Sequence, residues 1–244
     1  MTPRGRAAYS PNPDIARVAA LIGDRVRAAM LLALFDGAAL PATELAYRGG
    51  ASPQAASAHL RKLAEGGLLT VTASGRQRRY RLAGREVAHA IEALLPVARP
   101  PRIIALTQGI AIERLRTART CYDHLAGRLG VAVTDALVSR RALRAGGGEF
   151  HVTARGERLF EDLGIDVSAL RRGRRALARA CTDWTERRPH LAGSLGKALL
   201  DRFLADTWIT RAFSDRSVRL TARGERALER LLGVRAWTTS SMSQ

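Results

Sequence analysis

One short stretch, residues 42–82, limits most strongly what this chain can fold into. Serine commonly caps the start of a helix, and Ser52 can do so here. Pro53 suits the first helical position, because the backbone N–H that proline lacks would have no partner there. The next apolar residues recur four and then three positions apart, on one side of a helix: Ala56, Leu60 and Leu63. The pattern predicts a capped amphipathic helix that ends at Gly66–Gly67.

The segments on either side of this helix complete a known order of elements. Residues 43–47 predict a first short helix, and residues 48–51 predict the turn that joins the two helices. Beyond the glycines, residues 68–72 predict a strand, residues 73–75 a turn and residues 76–82 a returning strand. The stretch is therefore interpreted as a helix-turn-helix followed by a β-hairpin, or wing.

The solvent side of the capped helix carries small, polar and basic side chains, the kinds that contact base edges and phosphates. They are Ser52, Gln54, Ala55, Ser57, Ala58, His59 and Lys62. The returning strand begins with arginines suited to phosphate or minor-groove contact, namely Arg76, Arg78 and Arg79. We expect double-stranded DNA as the partner of both elements; the alternative is an ordinary helix pair with a solvated basic hairpin.

Several blocks of sequence carry a resemblance to a known family. They are Asp24–Arg27, Leu31–Leu34, Glu44–Ala46, Ser57–Leu63, Gly67–Leu69 and Gly75–Leu82. As a set, over residues 14–95, they resemble the ArsR-type winged-helix transcriptional regulators. The resemblance implies a sequence-specific regulator, a repressor in our expectation, that binds operator DNA as a homodimer. In that family the first and last helices of the domain form the dimer interface, which here would involve Val18 and Ile91.

The usual metal sites of that family do not match this chain. Residues 44–48, where many relatives place paired cysteines, contain none. The last helix of the domain, predicted over residues 85–95, offers Glu86, His89 and Glu92, which we expect to be solvated. The resemblance therefore leaves the effector open.

The charge balance points to a polyanionic partner. The chain of 244 residues has 40 lysines and arginines against 22 acidic residues, a formal net charge of +18. Nucleic acid is the first candidate and an anionic membrane surface the second. A nonspecific architectural DNA-binding protein would explain the same charge and remains the alternative function. We expect a cytoplasmic protein, because the sequence contains no signal peptide and no apolar run long enough to span a membrane.

The second half of the chain contains an internal repeat. Residues 118–123 match residues 178–183, His124 and the three residues after it match those from His190, and residues 150–158 match 218–226. Each copy predicts a helix, a hairpin and a helix, like half of a winged helix. The fold class is thus mostly α with small β-wings, an α+β chain. The predicted boundaries are a disordered basic arm at 1–13, a winged domain at 14–96, a linking helix at 97–117, repeats at 118–166 and 178–236, a basic connector at 167–177 and a tail at 237–244.

The repeat duplicates a cysteine and a histidine. Cys121 and His124 are three positions apart on a helix predicted over residues 102–129, hence on one face. Cys181 and His190 are their counterparts. Two thiolates and two imidazoles can bind a soft divalent metal such as zinc tetrahedrally, with Asp123 and Asp183 as further ligands or hydrogen-bond acceptors. Buried core residues, redox thiols and a thiol-dependent enzyme are the alternatives.

A small effector is a further possibility for the repeat domain. Trp184, Phe203 and Trp208 can line an apolar ligand pocket between the copies, although aromatic residues are more often plain core. The sequence contains no phosphate-binding loop, nucleophile elbow or zinc-protease motif. We therefore predict a DNA-binding regulator rather than an enzyme, with sensing or assembly through the repeat domain.

Overall fold

A computed structural model describes residues 13–75, 77–99, 105–212 and 215–234. The chain forms two compact units, residues 1–87 and residues 88–244. Nearly all of the predicted basic arm and the whole predicted tail lie outside the described residues. None of the described helices combines the length and the apolar content that crossing a membrane requires.

The first unit is a three-stranded sheet with helices packed against it. Its elements are α1 (Ile15–Ile22), α2 (Arg25–Ala33), β1 (Leu40–Pro41), α3 (Ala42–Gly49), α4 (Pro53–Glu65), β2 (Leu69–Ser74) and β3 (Gln77–Leu82). The sheet is antiparallel in the order β1-β3-β2. Helix α5 (Arg85–Leu94) follows and crosses the boundary between the units. The predicted N-terminal winged helix-turn-helix is confirmed.

Local sequence signals set the helix ends in this unit. The side chains of Asp14, Asp24 and Ser52 each accept a hydrogen bond from the backbone N–H three residues on, so they cap α1, α2 and α4. Gly50 takes the left-handed conformation (φ +63°) in the turn between α3 and α4. Helix α2 ends at Ala33.

The predicted apolar stripe of α4 is buried. Ala56, Leu60 and Leu63 are at most 1% exposed, and they belong to the core of the first unit. That core also contains Met30, Leu31, Leu34, Phe35 and Leu45. Burying side chains on one face of α4 leaves its opposite face in solvent, where the predicted DNA contacts lie.

The second unit is built mainly from hairpins and helices. After a 3₁₀ turn (Leu95–Val97), its elements are α6 (Leu106–Thr117), β4 (Arg119–Cys121), β5 (His124–Ala126), α7 (Gly127–Ser139), β6 (Leu143–Gly146), β7 (Glu149–Val152), α8 (Ala154–Asp162), α9 (Val167–Arg171), β8 (Ala180–Thr182), β9 (Pro189–Leu191), α10 (Gly193–Ala205), β10 (Ile209–Arg211), β11 (Val218–Leu220) and α11 (Ala222–Leu232). We call residues 118–162 the first half and residues 178–232 the second half.

The predicted helix over residues 102–129 is wrong. Residues 100–104 lie outside the described chain, α6 ends at Thr117, and β4 and β5 form a hairpin whose turn holds Tyr122 at φ +58°. Backbone pairing with a distant segment just before β11 overrides the local preference, because Thr120 N donates to Arg216 O at 2.9 Å. Each half therefore runs hairpin, helix, hairpin, helix, rather than helix, hairpin, helix.

The two halves interlock through their strands. The first hairpin of the first half pairs with the second half at Arg119 and Ser217, and the first hairpin of the second half pairs with the first half at Arg179 and Glu149. Apolar side chains of both halves share one core, with Leu129 in the first half and Leu228 in the second as examples. Each half thus completes the other, and their first hairpins meet in the interior.

Ile91 on α5 was predicted to need a second copy of the chain to cover it, and the structure differs from that prediction. Ile91 is only 5% exposed in the single chain. Leu94 near the end of the same helix is exposed, as is Ile15 on α1. Of the two residues expected at a dimer interface, the intrachain packing already buries Ile91.

Candidate DNA interface and candidate metal centre

The solvent face of α4 presents most of the predicted base-reading side chains. Gln54 and Lys62 are exposed, as are Ser52, Ala55 and Ser57, while Ala58 is half-buried. The hydroxyl of Ser57 donates to Pro53 O at 2.9 Å, so it is engaged by its own helix. Gln54 is therefore the residue on this face whose side-chain amide is best placed to form hydrogen bonds with a base edge.

His59 is tied to the fold of the first unit. It is half-buried, with Nδ1 3.7 Å from Asp24 Oδ1 and 3.4 Å from Arg27 Nη1. Asp24 is also the cap of α2. These contacts hold α4 against the start of α2 and leave His59 less available for DNA than the sequence suggests.

The wing carries its arginines on an exposed strand. Arg78 and Arg79 are exposed on β3, whereas Tyr80 and Leu82 on the same strand are buried. Arg79 Nη1 donates to Ala39 O at 3.0 Å, which orients this guanidinium beside the sheet. Arg76 lies outside the described residues. The strand thus offers positive charge suited to phosphate contact.

A buried cluster of five potential ligands lies in the second unit: Glu92, Cys121, His124, Cys181 and His190. One ligand atom from each lies within 4.8 Å of all the others, and none of these residues is more than 5% exposed. Cys121 faces His124 across β4 and β5, and Cys181 faces His190 across β8 and β9. Two hairpins and α5 therefore converge on one point.

The two histidines meet through the nitrogens that usually bind metals. His124 Nε2 lies 3.1 Å from His190 Nε2. The opposite nitrogens face carboxylates, with His124 Nδ1 3.5 Å from Asp123 Oδ1 and His190 Nδ1 3.6 Å from Asp183 Oδ2. If each Nδ1 carries the proton that faces its carboxylate, the two Nε2 atoms point lone pairs at each other. A cation between them satisfies both.

The spacing of these nitrogens fits a tetrahedral site. With Zn–N bonds of about 2.0–2.1 Å, two nitrogen ligands of a tetrahedral zinc lie about 3.3–3.4 Å apart. The observed separation of 3.1 Å is within a few tenths of an ångström of that value. Two thiolates complete the S₂N₂ donor set that zinc and other soft divalent ions favour.

Two arginine–aspartate pairs orient the histidines. Arg175 Nη2 donates to Asp123 Oδ1 at 2.8 Å, and Arg119 Nη2 donates to Asp183 Oδ2 at 2.8 Å. Burial opposes ionisation of both carboxyls, yet their hydrogen bonds and the neighbouring positive charges hold each pKa far below its usual range. Both aspartates thus stay anionic behind the imidazoles, an arrangement that fixes ring orientation at metal sites.

The electrostatics of the cluster favour one thiolate and one imidazolium. A hydrogen bond with Cys181 lowers the pKa of Cys121 against the effect of burial, and the same hydrogen bond, followed by burial and the charge on Cys121, raises the pKa of Cys181. Burial lowers the pKa of His124, but hydrogen bonds to Asp123 and Cys121 outweigh it and raise that pKa to about 9. These shifts favour negative charge on sulfur next to positive charge, which is the environment that a divalent cation with thiolate ligands provides.

Two glycines let the halves approach at the cluster. A Cβ on Gly130 would lie 2.5 Å from Leu125 O, and a Cβ on Gly196 would lie 2.5 Å from Leu191 O and 3.3 Å from His124 Cβ. Each glycine thus allows its helix, α7 or α10, to pack on the strand that carries a ligand. A larger residue at either position would move a ligand strand.

Comparisons with known proteins agree with the fold of the first unit. A family described as helix-turn-helix domain matches residues 22–72. A protein of Bacillus subtilis (strain 168), named uncharacterized HTH-type transcriptional regulator YdfF, is 44% identical over 224 residues, which is 92% of this chain and 99% of that protein. The chain belongs to the HTH-type transcriptional regulators. The regulator is therefore a DNA-binding protein and not an enzyme, which sets aside the thiol-dependent enzyme.

Solved structures similar to the regulator each cover less than half of its chain. One is a homodimeric winged helix-turn-helix domain of Mb0332 from Mycobacterium bovis, a possible ArsR-family regulator, 27% identical over 45% of this chain and 94% of that chain, with a TM-score of 0.30. Another is the cadmium sensor CMTR from Mycobacterium tuberculosis, 34% identical over 37% of this chain and 98% of that chain, also with a TM-score of 0.30.

Sequence reasoning missed one member of the cluster in the regulator. Glu92 was expected to be solvated, but it is buried, whereas Glu86 is exposed and His89 is half-buried. The signal was present, because Glu92 comes four residues after Ala88 and directly after Ile91, both apolar and both buried. An acidic residue on the apolar side of a helix indicates a buried polar partner.

The predicted pocket residues lie in two different settings. Phe203 and Trp208 pack together in the core of the second unit, with ring centroids 5.0 Å apart. The ring of Trp184 lies 4.8 Å from the guanidinium carbon of Arg119, beside the arginine that holds Asp183. A ligand pocket lined by these three residues stays a prediction.

Proposed function

We propose that the regulator binds operator DNA as a homodimer and that a soft divalent cation, with zinc as the example, is bound by Cys121, His124, Cys181 and His190 and changes operator affinity. The observation that supports the cation most directly is the 3.1 Å approach of two histidine Nε2 atoms beside two buried cysteines. A ligand can change DNA affinity only if it binds two states of the protein unequally. The cluster, made by both halves, is a place where such states would differ.

Operator recognition is assigned to α4 and the wing. Gln54, Ser52 and Lys62 lie on the solvent face of α4, and Arg78 and Arg79 lie exposed on β3. Side chains on a recognition helix read bases, and wing arginines add phosphate affinity that is independent of sequence.

Homodimer formation is supported by apolar surface. No residue of α1 or α6 is buried within the described chain, although both helices carry large apolar side chains. Ile15 is 79% exposed and Leu106 is 76% exposed. Apolar helix faces of this kind are typical of surfaces that a second copy covers.

Metal content and operator binding test the proposal together. Protein purified without chelator should contain one cation per chain, or take up one equivalent of zinc, and operator affinity should differ between the loaded and metal-free forms. Cys121→Ser and Cys181→Ser should each lose metal uptake while metal-free operator binding remains. His190→Asn should behave like the cysteine variants, whereas His151→Asn, on an exposed part of β7, should keep full uptake. A wild-type protein that stays metal-free with excess zinc contradicts the cation.

A nonspecific architectural role is the second candidate function. The net charge of +18 favours it, because that charge is sufficient for sequence-independent DNA binding. The ratio of affinity for the region upstream of its own gene to affinity for random DNA decides between them. A ratio near one at physiological salt would support the architectural role.

A further inference from the structure

We propose that Glu92 couples metal binding to DNA affinity: it binds the cation as a fifth ligand and thereby changes the position of α5. This inference rests on the proposed function, since it requires a cation in the buried cluster. It adds a ligand from outside the duplicated hairpins and assigns it a regulatory role.

Without a cation, the carboxylate of Glu92 contacts two of the proposed metal ligands and one arginine. Its Oε1 accepts a hydrogen bond from Cys121 Sγ at 2.8 Å and lies 3.5 Å from His124 Nε2. Its Oε2 accepts a hydrogen bond from Arg179 Nη2 at 2.7 Å. The carboxylate is thus bonded on one side to a ligand and on the other to a fixed positive charge.

Metal binding has to break the first of these contacts. Cys121 binds a cation as a thiolate, so the proton that Sγ and Glu92 Oε1 share across their 2.8 Å contact leaves to solvent, and the hydrogen bond between them is lost. A thiolate and a carboxylate 2.8 Å apart would then repel each other. The cation removes this repulsion if Glu92 Oε1 turns from the sulfur to the metal, and a carboxylate oxygen of Glu92 is already within 4.8 Å of the other four ligand atoms.

The charges of the loaded site support this exchange. Two thiolates and one carboxylate around a divalent cation sum to one negative charge, which Arg179 beside Glu92 balances. A buried site with no net charge avoids the cost of leaving an ion unpaired in the interior. Glu92 can therefore join the cation without losing its arginine.

Helix α5 gives Glu92 a direct covalent link to the wing. The helix begins at Arg85, three residues after β3 ends at Leu82, and Glu92 is in its third turn. A helix moves as a stiff element, and small helix shifts are a common way in which binding at one place changes another. Displacement of Glu92 toward the cation therefore shifts the segment that follows the wing strand.

The experiment compares Glu92→Gln with Glu86→Gln, an exposed position on the same helix. Wild type and Glu86→Gln should each bind one zinc and change operator affinity about tenfold on loading, as is usual for allosteric coupling. Glu92→Gln should still bind one zinc, because the two cysteines and two histidines remain, but its loading should change operator affinity less than threefold. Cobalt-loaded wild type should absorb less strongly in its d–d bands than cobalt-loaded Glu92→Gln, since a fifth ligand weakens these bands relative to a tetrahedral site.

The outcomes separate this inference from the proposed function. If wild type binds no metal, the proposed function fails first. If Glu92→Gln binds zinc and responds as strongly as wild type, with an unchanged cobalt spectrum, the cation stands and the role of Glu92 is wrong. Should Glu92→Gln not fold, Glu92→Asp keeps the charge beside Arg179 while shortening the side chain, and it should show the same loss of response; a full response in Glu92→Asp overturns the inference.

Discussion

At the residue scale, the cluster depends on positions where the backbone leaves no room for a side chain. Gly130 and Gly196 lie on helices of opposite halves. Each packs against the backbone carbonyl of a leucine in the strand that carries a histidine of the cluster. Close packing of the backbone thus sets the positions of the proposed ligands.

Gly196→Ala should destabilise the regulator and weaken metal binding. The added Cβ would lie 2.5 Å from Leu191 O, a backbone atom next to His190, so the strand must move. Overpacking of this kind costs about 1–3 kcal/mol of unfolding free energy. Chemical denaturation and zinc titration measure the two effects. Gly146→Ala is the control, because its Cβ would meet its nearest atom at 3.6 Å, an ordinary contact; equal behaviour of both variants would contradict the packing argument.

Gln54→Ala should reduce the discrimination between operator and random DNA. Gln54 is exposed on α4, and an amide that bonds a base edge in two places contributes about 1–3 kcal/mol of discrimination. Affinities for the two DNAs, measured at one salt concentration, give the change. Equal weakening for both DNAs would mean that α4 is not the recognition helix.

At the scale of elements, the sequence predicts what is decided locally and misses what distant pairing decides. A side-chain cap and a single apolar stripe give α4 correctly, since these signals lie within one helix. The hairpin at residues 119–126 was predicted as helix, because its strand is fixed by Ser217 almost a hundred residues away. The four duplicated ligands were nevertheless proposed together, because the repeat relates them; Glu92 belongs to no repeat and was missed.

Arg78→Ala on the wing should weaken binding to all DNA sequences alike. Arg78 is exposed on β3, whereas Arg79 is also bonded to Ala39 O, so Arg78 tests phosphate contact with less effect on the fold. Loss of one phosphate contact should lower the slope of log affinity against log salt by about one unit. Filter binding or fluorescence anisotropy at several salt concentrations measures it. A change confined to the operator would instead assign base reading to the wing.

At the scale of the whole molecule, a helix-turn-helix unit that reads one half-site needs a second copy to cover an operator. Two protomers with twofold symmetry bind an inverted repeat whose centres are about one helical turn, roughly 10 bp, or a multiple of it apart. The regulator has apolar surface that such a pairing can bury, on α1 around Ile15 and on α6 around Leu106. The high positive charge would act against pairing in free solution and be offset on DNA.

Ile15→Glu and Leu106→Glu should therefore each shift the regulator from dimer to monomer at micromolar concentration. A buried carboxylate at the interface opposes association, because it loses water without gaining a partner. Light scattering with size exclusion gives the mass, and footprinting shows protection of both half-sites only for the dimer. Val138→Glu, an exposed apolar position on α7, is the control that should leave the mass unchanged. A wild-type protein that is monomeric with and without DNA would contradict the homodimer. If that monomer protects one half-site, recognition is limited to a single α4 and wing.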